Sequence, residues 1–153
     1  MIRIERDPAF WEAIASNLAD TERGLSPAFV GAMCATDMVL PLASERGGFI
    51  FIRRDECGFV CELHTLYDPA AWGSREIIVS AKQALNAIFI AGYHVVTTLE
   101  VRDNARSQPP RSYGFMQAGE WRDSLLGEVR MWVLTRAAWE VSPASRRARN
   151  KLN

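Results

Sequence analysis

Residues 67–83 read YDPAAWGSREIIVSAKQ. Before them, FVCELHTL at 59–66 alternates in the manner of a strand. After them, Ile77, Ile78, Ala81, Leu85, Ile88 and Phe89 recur at helical spacing and predict a helix from Ser74 to Ala91. Ser74 is placed to cap its first turn and Gly92 to close its last. The junction admits two readings. It is either a strand-to-helix turn with a surface arginine, or a turn built for a phosphate. A helix start offers N–H groups and a partial positive charge. Gly73 lets the backbone come close to a ligand, Ser74 adds a hydroxyl and Arg75 a cation.

Outward from this stretch, the pattern is a run of short elements. Met1 to Glu5 alternates as a short strand, and Asp7–Pro8 starts a helix through Ser16 that carries Phe10, Trp11 and Ile14. Ser26–Pro27 opens a second helix with Phe29, Val30 and Met33. Strands follow at 38–44, where Pro41 suggests an edge or a bulge, at 49–54 after Gly47–Gly48, and at 59–66 after the turn DECG. Beyond the central helix comes a β-branched strand at 93–101. A loop interrupted by Pro109 and Pro110 leads to two more strands near 115–121 and 128–136. The strand, helix and strand in the middle form a right-handed β-α-β crossover with parallel strands. The expected fold is therefore α+β, a mixed, mostly antiparallel sheet with helices on both faces. It is read as one domain over 1–142 followed by a basic, solvated tail, 143–153.

Composition narrows the function. The 153 residues carry 18 basic and 18 acidic side chains, which argues against binding nucleic acid by bulk charge. No apolar run reaches the roughly 18 residues of a membrane span, and the N-terminus MIRIERDP is not a signal peptide, so a cytoplasmic protein with no membrane partner is expected. Cys34, Cys57 and Cys61 suit a reducing compartment. Cys57, Cys61 and His64 have a spacing that invites a zinc reading. However, Cys61 and His64 point to opposite faces of a strand and no fourth ligand is evident, so no metal is expected. Serine-hydrolase and Walker-type motifs are absent.

The element order over nearly the whole chain resembles the GNAT superfamily of acyl-CoA-dependent N-acetyltransferases. In that family the strand before the central helix runs into a loop of the form (Gln/Arg)-x-x-Gly-x-(Gly/Ala). Here the stretch is Ala70-Ala71-Trp72-Gly73-Ser74-Arg75, which matches at Gly73 and departs at Ala70 and Arg75. Asn104 after the next strand and Gly114–Phe115 opening a later one also follow the family pattern. The resemblance implies acetyl-CoA as cosubstrate, with Leu63, His64 and Thr65 beside its pantetheine arm and Trp72, Gly73, Ser74, Arg75 and Asn104 near the rest of the cofactor. It implies an amine acceptor, small molecule or protein, and a tyrosine acid in the loop helix, for which Tyr113 is the candidate, near Arg111 and the two prolines. Small divergent relatives also occur among phage proteins, which implies host cytoplasm or virion for a phage-encoded member.

The residues themselves supply candidates for proton chemistry. An ammonium cannot attack a thioester, so a base must take its proton. Glu62 and His64 share a strand face near the loop, and Glu100 ends the next strand on the face of His94, Val96 and Thr98. Against these stand ordinary salt bridges and a half-buried histidine. The leading expectation is an acetyl-CoA-dependent N-acetyltransferase on an unidentified amine. The alternative is a GNAT-like structural or interaction protein, such as a phage virion or assembly component. Phe115, Trp121, Met131, Trp132 and Leu134 exceed what one small core needs, which points to a homodimer or protein partner.

Overall fold

The computed structural model describes residues 1–18, 26–102 and 108–149. In chain order the elements are β1 (Arg3–Ile4), α1 (Pro8–Leu18), α2 (Pro27–Cys34), β2 (Val39–Ala43), β3 (Gly47–Arg53), β4 (Val60–Tyr67), α3 (Arg75–Ile90), β5 (Val95–Val101), β6 (Met116–Asp123), β7 (Gly127–Thr135), α4 (Arg136–Val141) and α5 (Pro143–Arg149). Short 3-10 turns lie at Pro69–Ala71 and Arg111–Tyr113. The strands form a mixed sheet in the order β1-β2-β3-β4-β5-β7-β6, with β4 and β5 parallel. Two compact units divide the chain: Met1–Arg53 with Leu63–Leu85, and Arg54–Glu62 with Asn86–Asn153.

In the first unit, alternation on the strands sorts two apolar faces. Val39 and Ala43 of β2, Ile50 of β3 and Leu66 of β4 meet Trp11, Ile14, Ala15 and Leu18 of α1 and Val30 and Cys34 of α2. Trp11 anchors this core, fully buried, with its indole N–H donated to the Glu5 carbonyl at 2.7 Å. Both helices start as their sequences dictate. Asp7 accepts from Ala9 N, Ser26 accepts from Phe29 N, and a proline occupies the first turn of each. On the opposite face, Phe49 and Tyr67 pack edge to face at 5.5 Å beneath the start of α3, and Ser80 of α3 hydrogen-bonds the Tyr67 phenol.

Two expectations are corrected here. Pro41 is not on an edge: β1 lies outside β2. It is tolerated because its pair with Ile50 is not hydrogen-bonded. The ladder bonds toward β3 fall on its neighbours' parity, as in Ser44 N to Gly47 O and Arg53 N to Met38 O. Toward β1 its carbonyl accepts from Glu5 N, and the absent N–H falls where that two-residue strand ends. The buried face of α3 is rotated from the expected stripe: Ile78 is exposed, while Ser80 and Ala84 are buried.

In the second unit, β5 pairs with β7 along its length and β7 with β6, all antiparallel. Val96, Val129 and Leu134 are fully buried, and Trp139 of α4 donates its indole N–H to Asn86 at 2.9 Å. The last turn of α3 closes with Gly92 N to Phe89 O and Tyr93 N to Ile88 O, the paired bonds of a Schellman ending. The chain after 142 is not a solvated tail from its start. Ser142 turns α4 into α5 and accepts from Ser145 N, and Ala144 and Ser145 are buried.

Candidate functional site

The stretch 67–83 is tied down at its start by hydrogen bonds of Asp68. Asp68 accepts from Ala70 N through its side chain, and its own N–H donates to the Arg46 carbonyl. Trp72 packs edge to face on Tyr67 at 6.4 Å. Gly73 has φ +81, the left-handed region, and an added Cβ there would meet nothing within 4 Å. The glycine is thus required by conformation. Ser74 does not cap α3. Its N–H donates to Ala71 O, and its buried Oγ has no protein hydrogen-bond partner. Arg75 is exposed at the start of α3.

The group that organises this turn carries no signal in the sequence. Glu76, in the first turn of α3, accepts from Ser44 Oγ at 2.8 Å and Arg46 N at 3.0 Å on one oxygen. It accepts from Arg46 Nε at 2.9 Å on the other. Ser44 Oγ also lies 2.9 Å from the Tyr67 hydroxyl, and Arg46 donates onward to the Ala70 carbonyl at 3.3 Å. The β2–β3 turn therefore grips the loop and the helix start together. Partial burial pushes the Glu76 carboxyl up, but the donors from Arg46 and Ser44 and the Arg46 charge outweigh it and hold the group below its ordinary 4.5. Burial raises the Tyr67 phenol, opposed by its bonds to Ser44 and Ser80 and reinforced by the Glu76 charge. No local motif announces this cluster, because its partners come from a hairpin about 30 residues earlier.

The remaining candidates occupy different settings. On β4, Leu63 is buried, Thr65 half-buried and His64 exposed. Glu62 is held by Arg54, at 2.8 Å from Nε and 2.5 Å from Nη2. Glu62 is in register with Thr97 of β5, so the two share a face. Glu100 lies three residues beyond Thr97 and therefore projects from the opposite face. The structure does not bring these two carboxylates together. Glu100 is 8% exposed, accepts the Trp132 indole N–H at 2.8 Å and faces Arg130 at 3.9 Å. Tyr113 is buried, edge to face on Trp139 at 5.8 Å, and burial raises its phenol pKa. Asn104 lies outside the described residues. Cys34 and Cys61 are core thiols pushed by burial to about 12. Among the described residues, no three His, Cys, Asp or Glu side chains converge to hold a metal ion, and no helix is long and apolar enough to cross a membrane.

Solved structures share this architecture. A mutant of spermidine N-acetyltransferase SpeG from Vibrio cholerae superposes with a TM-score of 0.74 at 14% identity, covering 91% of this chain and 96% of that one. The chain has the GNAT fold. The yncA structure from Salmonella typhimurium, assigned as an acetyltransferase and solved with its cofactor acetyl-CoA, gives 0.69 at 18% identity over 88% of this chain and 92% of that one. A GNAT-family structure from Desulfovibrio desulfuricans gives 0.68 at 9%, over 88% and 98%. No family model matches the sequence, and no curated protein does. At these identities the likeness carries the fold alone. Within the GNAT fold, the parallel ladder of β4 and β5 runs over Val60–Glu62 against Val95–Thr97.

Proposed function

We propose that this protein is an acetyl-CoA-dependent N-acetyltransferase acting on an amine. The observation that carries the reading is Ser74: a buried hydroxyl with no protein partner, at the start of a 16-residue helix, next to a left-handed glycine with open space around it. Those residues fit a diphosphate. The N–H groups of the first turn and the Ser74 hydroxyl donate to its oxygens, Gly73 admits them without a side chain in the way, and Arg75 supplies a cation. The grip of Glu76 on Arg46 and Ser44 keeps that turn in one conformation before a ligand arrives, which lowers the ordering cost of binding.

Acetyl-CoA supplies the acetyl group as a thioester. In this reading Glu62 accepts the proton of the incoming ammonium, directly or through water, and Arg54 sets the orientation of its carboxylate. Tyr113, a phenol protonated at neutral pH, returns a proton to the leaving sulfur. Glu100, committed to Trp132 and Arg130, is assigned to support rather than proton transfer. Polyamines are the acceptor class to try first, since structural neighbours of this chain include spermidine N-acetyltransferases.

Isothermal titration with acetyl-CoA and CoA is the primary test. Because Ser74 Oγ bonds to nothing in the protein, Ser74→Ala leaves the fold intact and weakens binding about three- to tenfold, the scale of one hydrogen bond. Gly73→Asp weakens it further, by placing negative charge against the phosphates. Glu62→Gln and Tyr113→Phe each lower turnover about a hundredfold with affinity retained. No heat at millimolar ligand would sink the enzyme reading and leave a GNAT-fold interaction module.

A further inference from the structure

The outer strand β6 carries an order of charges that ends abruptly. On one face of β5, β7 and β6, cross-strand register sets Glu100 against Arg130 against Glu120. The next row sets Arg102, whose N–H donates to the Glu128 carbonyl, against Glu128 against Arg122. Signs thus alternate along both rows and between them. Arg130 lies 3.9 Å from Glu100 and 3.5 Å from Glu120, and Arg102 pairs with Glu128 and reaches Glu120 at 3.8 Å. One row stops at a negative residue and the other at a positive one.

The backbone points the same way. Arg102 N to Glu128 O and Arg136 N to His94 O fix the even residues of β7 as those bonding to β5. The odd residues therefore bond to β6, through Gly119, Trp121 and Asp123. The N–H and C=O groups of Glu120 and Arg122 are left pointing outward, and no strand lies beyond β6 among the described residues. Trp121, 43% exposed, sits between them on the other face.

We propose that β6 pairs antiparallel with β6 of a second copy about a two-fold axis through Trp121. Backbone parity permits only registers that match even residues with even residues. The register centred on Glu120 sets like charges opposite each other, as does the one centred on Arg122. The register centred on Trp121 sets Glu120 against the partner's Arg122 and Arg122 against the partner's Glu120. It continues both charge rows across the axis with alternating sign, and opposite charges facing across strands stabilise a pair where like charges weaken it. The Trp121 side chains then meet at a non-hydrogen-bonded pair, the closer kind. The same operation carries the hairpin tip, with exposed Leu125 and Leu126, toward the partner's exposed Met116. The bulge between Gln117 and Gly119 confines regular pairing to the second half of β6.

Sedimentation and site-directed crosslinking test this on the full chain. Wild type should sediment as a dimer at tens of micromolar, more weakly at high salt. Arg122→Glu should raise the dimer Kd about tenfold or more, by facing like charges twice across the axis. In a Cys57→Ser background, which removes the exposed native thiol, Trp121→Cys should link to itself under oxidised glutathione. Opposed Cα atoms in such a pair lie about 4.5 Å apart, within disulfide reach. Glu120→Cys and Arg122→Cys should link only when mixed, since each alone faces its twin diagonally at about 7–8 Å. A monomer at every concentration, or a dimer that links in neither the Trp121 nor the mixed experiment, overturns the proposal. Both readouts are independent of acetyl-CoA binding.

Discussion

In the first unit one carboxylate, Glu76, draws in Ser44, the Arg46 backbone and the Arg46 guanidinium from a hairpin turn. In the second unit six charged side chains tile the face of three strands, with Arg102, Glu120 and Glu128 each 44–48% exposed. The chemistry is the same, carboxylate with guanidinium, but the settings differ in depth. Glu76, 19% exposed, exchanges water for several directed donors, and its proton affinity shifts accordingly. The outer ladder of Arg102, Glu120 and Glu128 keeps its water, so these pairs are screened and contribute little to the chain that carries them, while Glu100 at the inner end is buried against Trp132. A half-buried carboxylate fixes the position of a loop. A surface ladder does its work at an edge, where it sets which register another strand can take.

The comparison breaks most visibly at the glycines that accompany each arrangement. Gly47, beside the Glu76 cluster, has φ +146, and an added Cβ would lie 2.3 Å from the Leu66 carbonyl oxygen and 2.5 Å from Tyr67 Cα. Both obstacles are backbone and cannot swing away. Gly47→Ala should cost roughly 3 kcal/mol or more in urea denaturation, from left-handed strain and overpacking together. At Gly119 in β6 an added Cβ would meet nothing within 4 Å, and Gly119→Ala should stay within about 0.5 kcal/mol. Equal costs at the two sites would show that the first unit's hairpin is less tightly fixed than its contacts indicate.

A smaller effect sharpens the same contrast by pH. Glu76→Gln removes the charged acceptor while keeping the shape, and should cost about 1–2 kcal/mol at neutral pH. The sign follows from the direction of the shift. The folded carboxyl titrates below its ordinary 4.5, so its contribution is complete above the unfolded pKa and is lost as pH falls through the folded one. Stability curves of wild type and variant should therefore be separate above pH 4.5 and converge in more acid solution. A gap that persists unchanged at pH 2 would mean that packing, rather than charge, makes the difference.

Much of the fold is open to the sequence because it rests on local signals. The helix over 75–90 is written in its own spacing and ended by Gly92, and the strands of the first unit are separated by their own turns. What escapes depends on partners distant in the chain. Ser80 is polar and gives no inward signal, yet it is buried with its hydroxyl on Tyr67. Ser74 has the chemistry and position of a cap, and the helix starts without its side chain. Glu62 and Glu100 draw attention as carboxylates on neighbouring strands, but only the register reveals that they project from opposite faces. Glu76 draws none, since a glutamate in a first helical turn is common. The arginines of residues 143–149 suggest a tail, but a helix forms there because Ser142 caps it and Ala144 finds a place in the core.

The smallest expected effect concerns the ladder within a single chain. Glu128 lies in the middle of its row, in an ion pair with Arg102 and in register with Arg122. Were such pairs additive at close range, Glu128→Gln would be as harmful as Glu76→Gln. Exposure argues otherwise: nearly half of each side chain at the Arg102–Glu128 pair is in water, which screens the attraction, and holding two long side chains in one geometry costs rotamer freedom. Glu128→Gln should therefore change the stability of the monomer by no more than about 0.5 kcal/mol, and the difference should vanish in about 1 M salt, where the screening length falls to roughly 3 Å. Chemical denaturation at low protein concentration, with and without salt, makes the measurement. A loss above about 1 kcal/mol that survives salt would place the ladder beside the Glu76 cluster as a support of the fold, and would remove the ground for reading it as an edge prepared for a second strand.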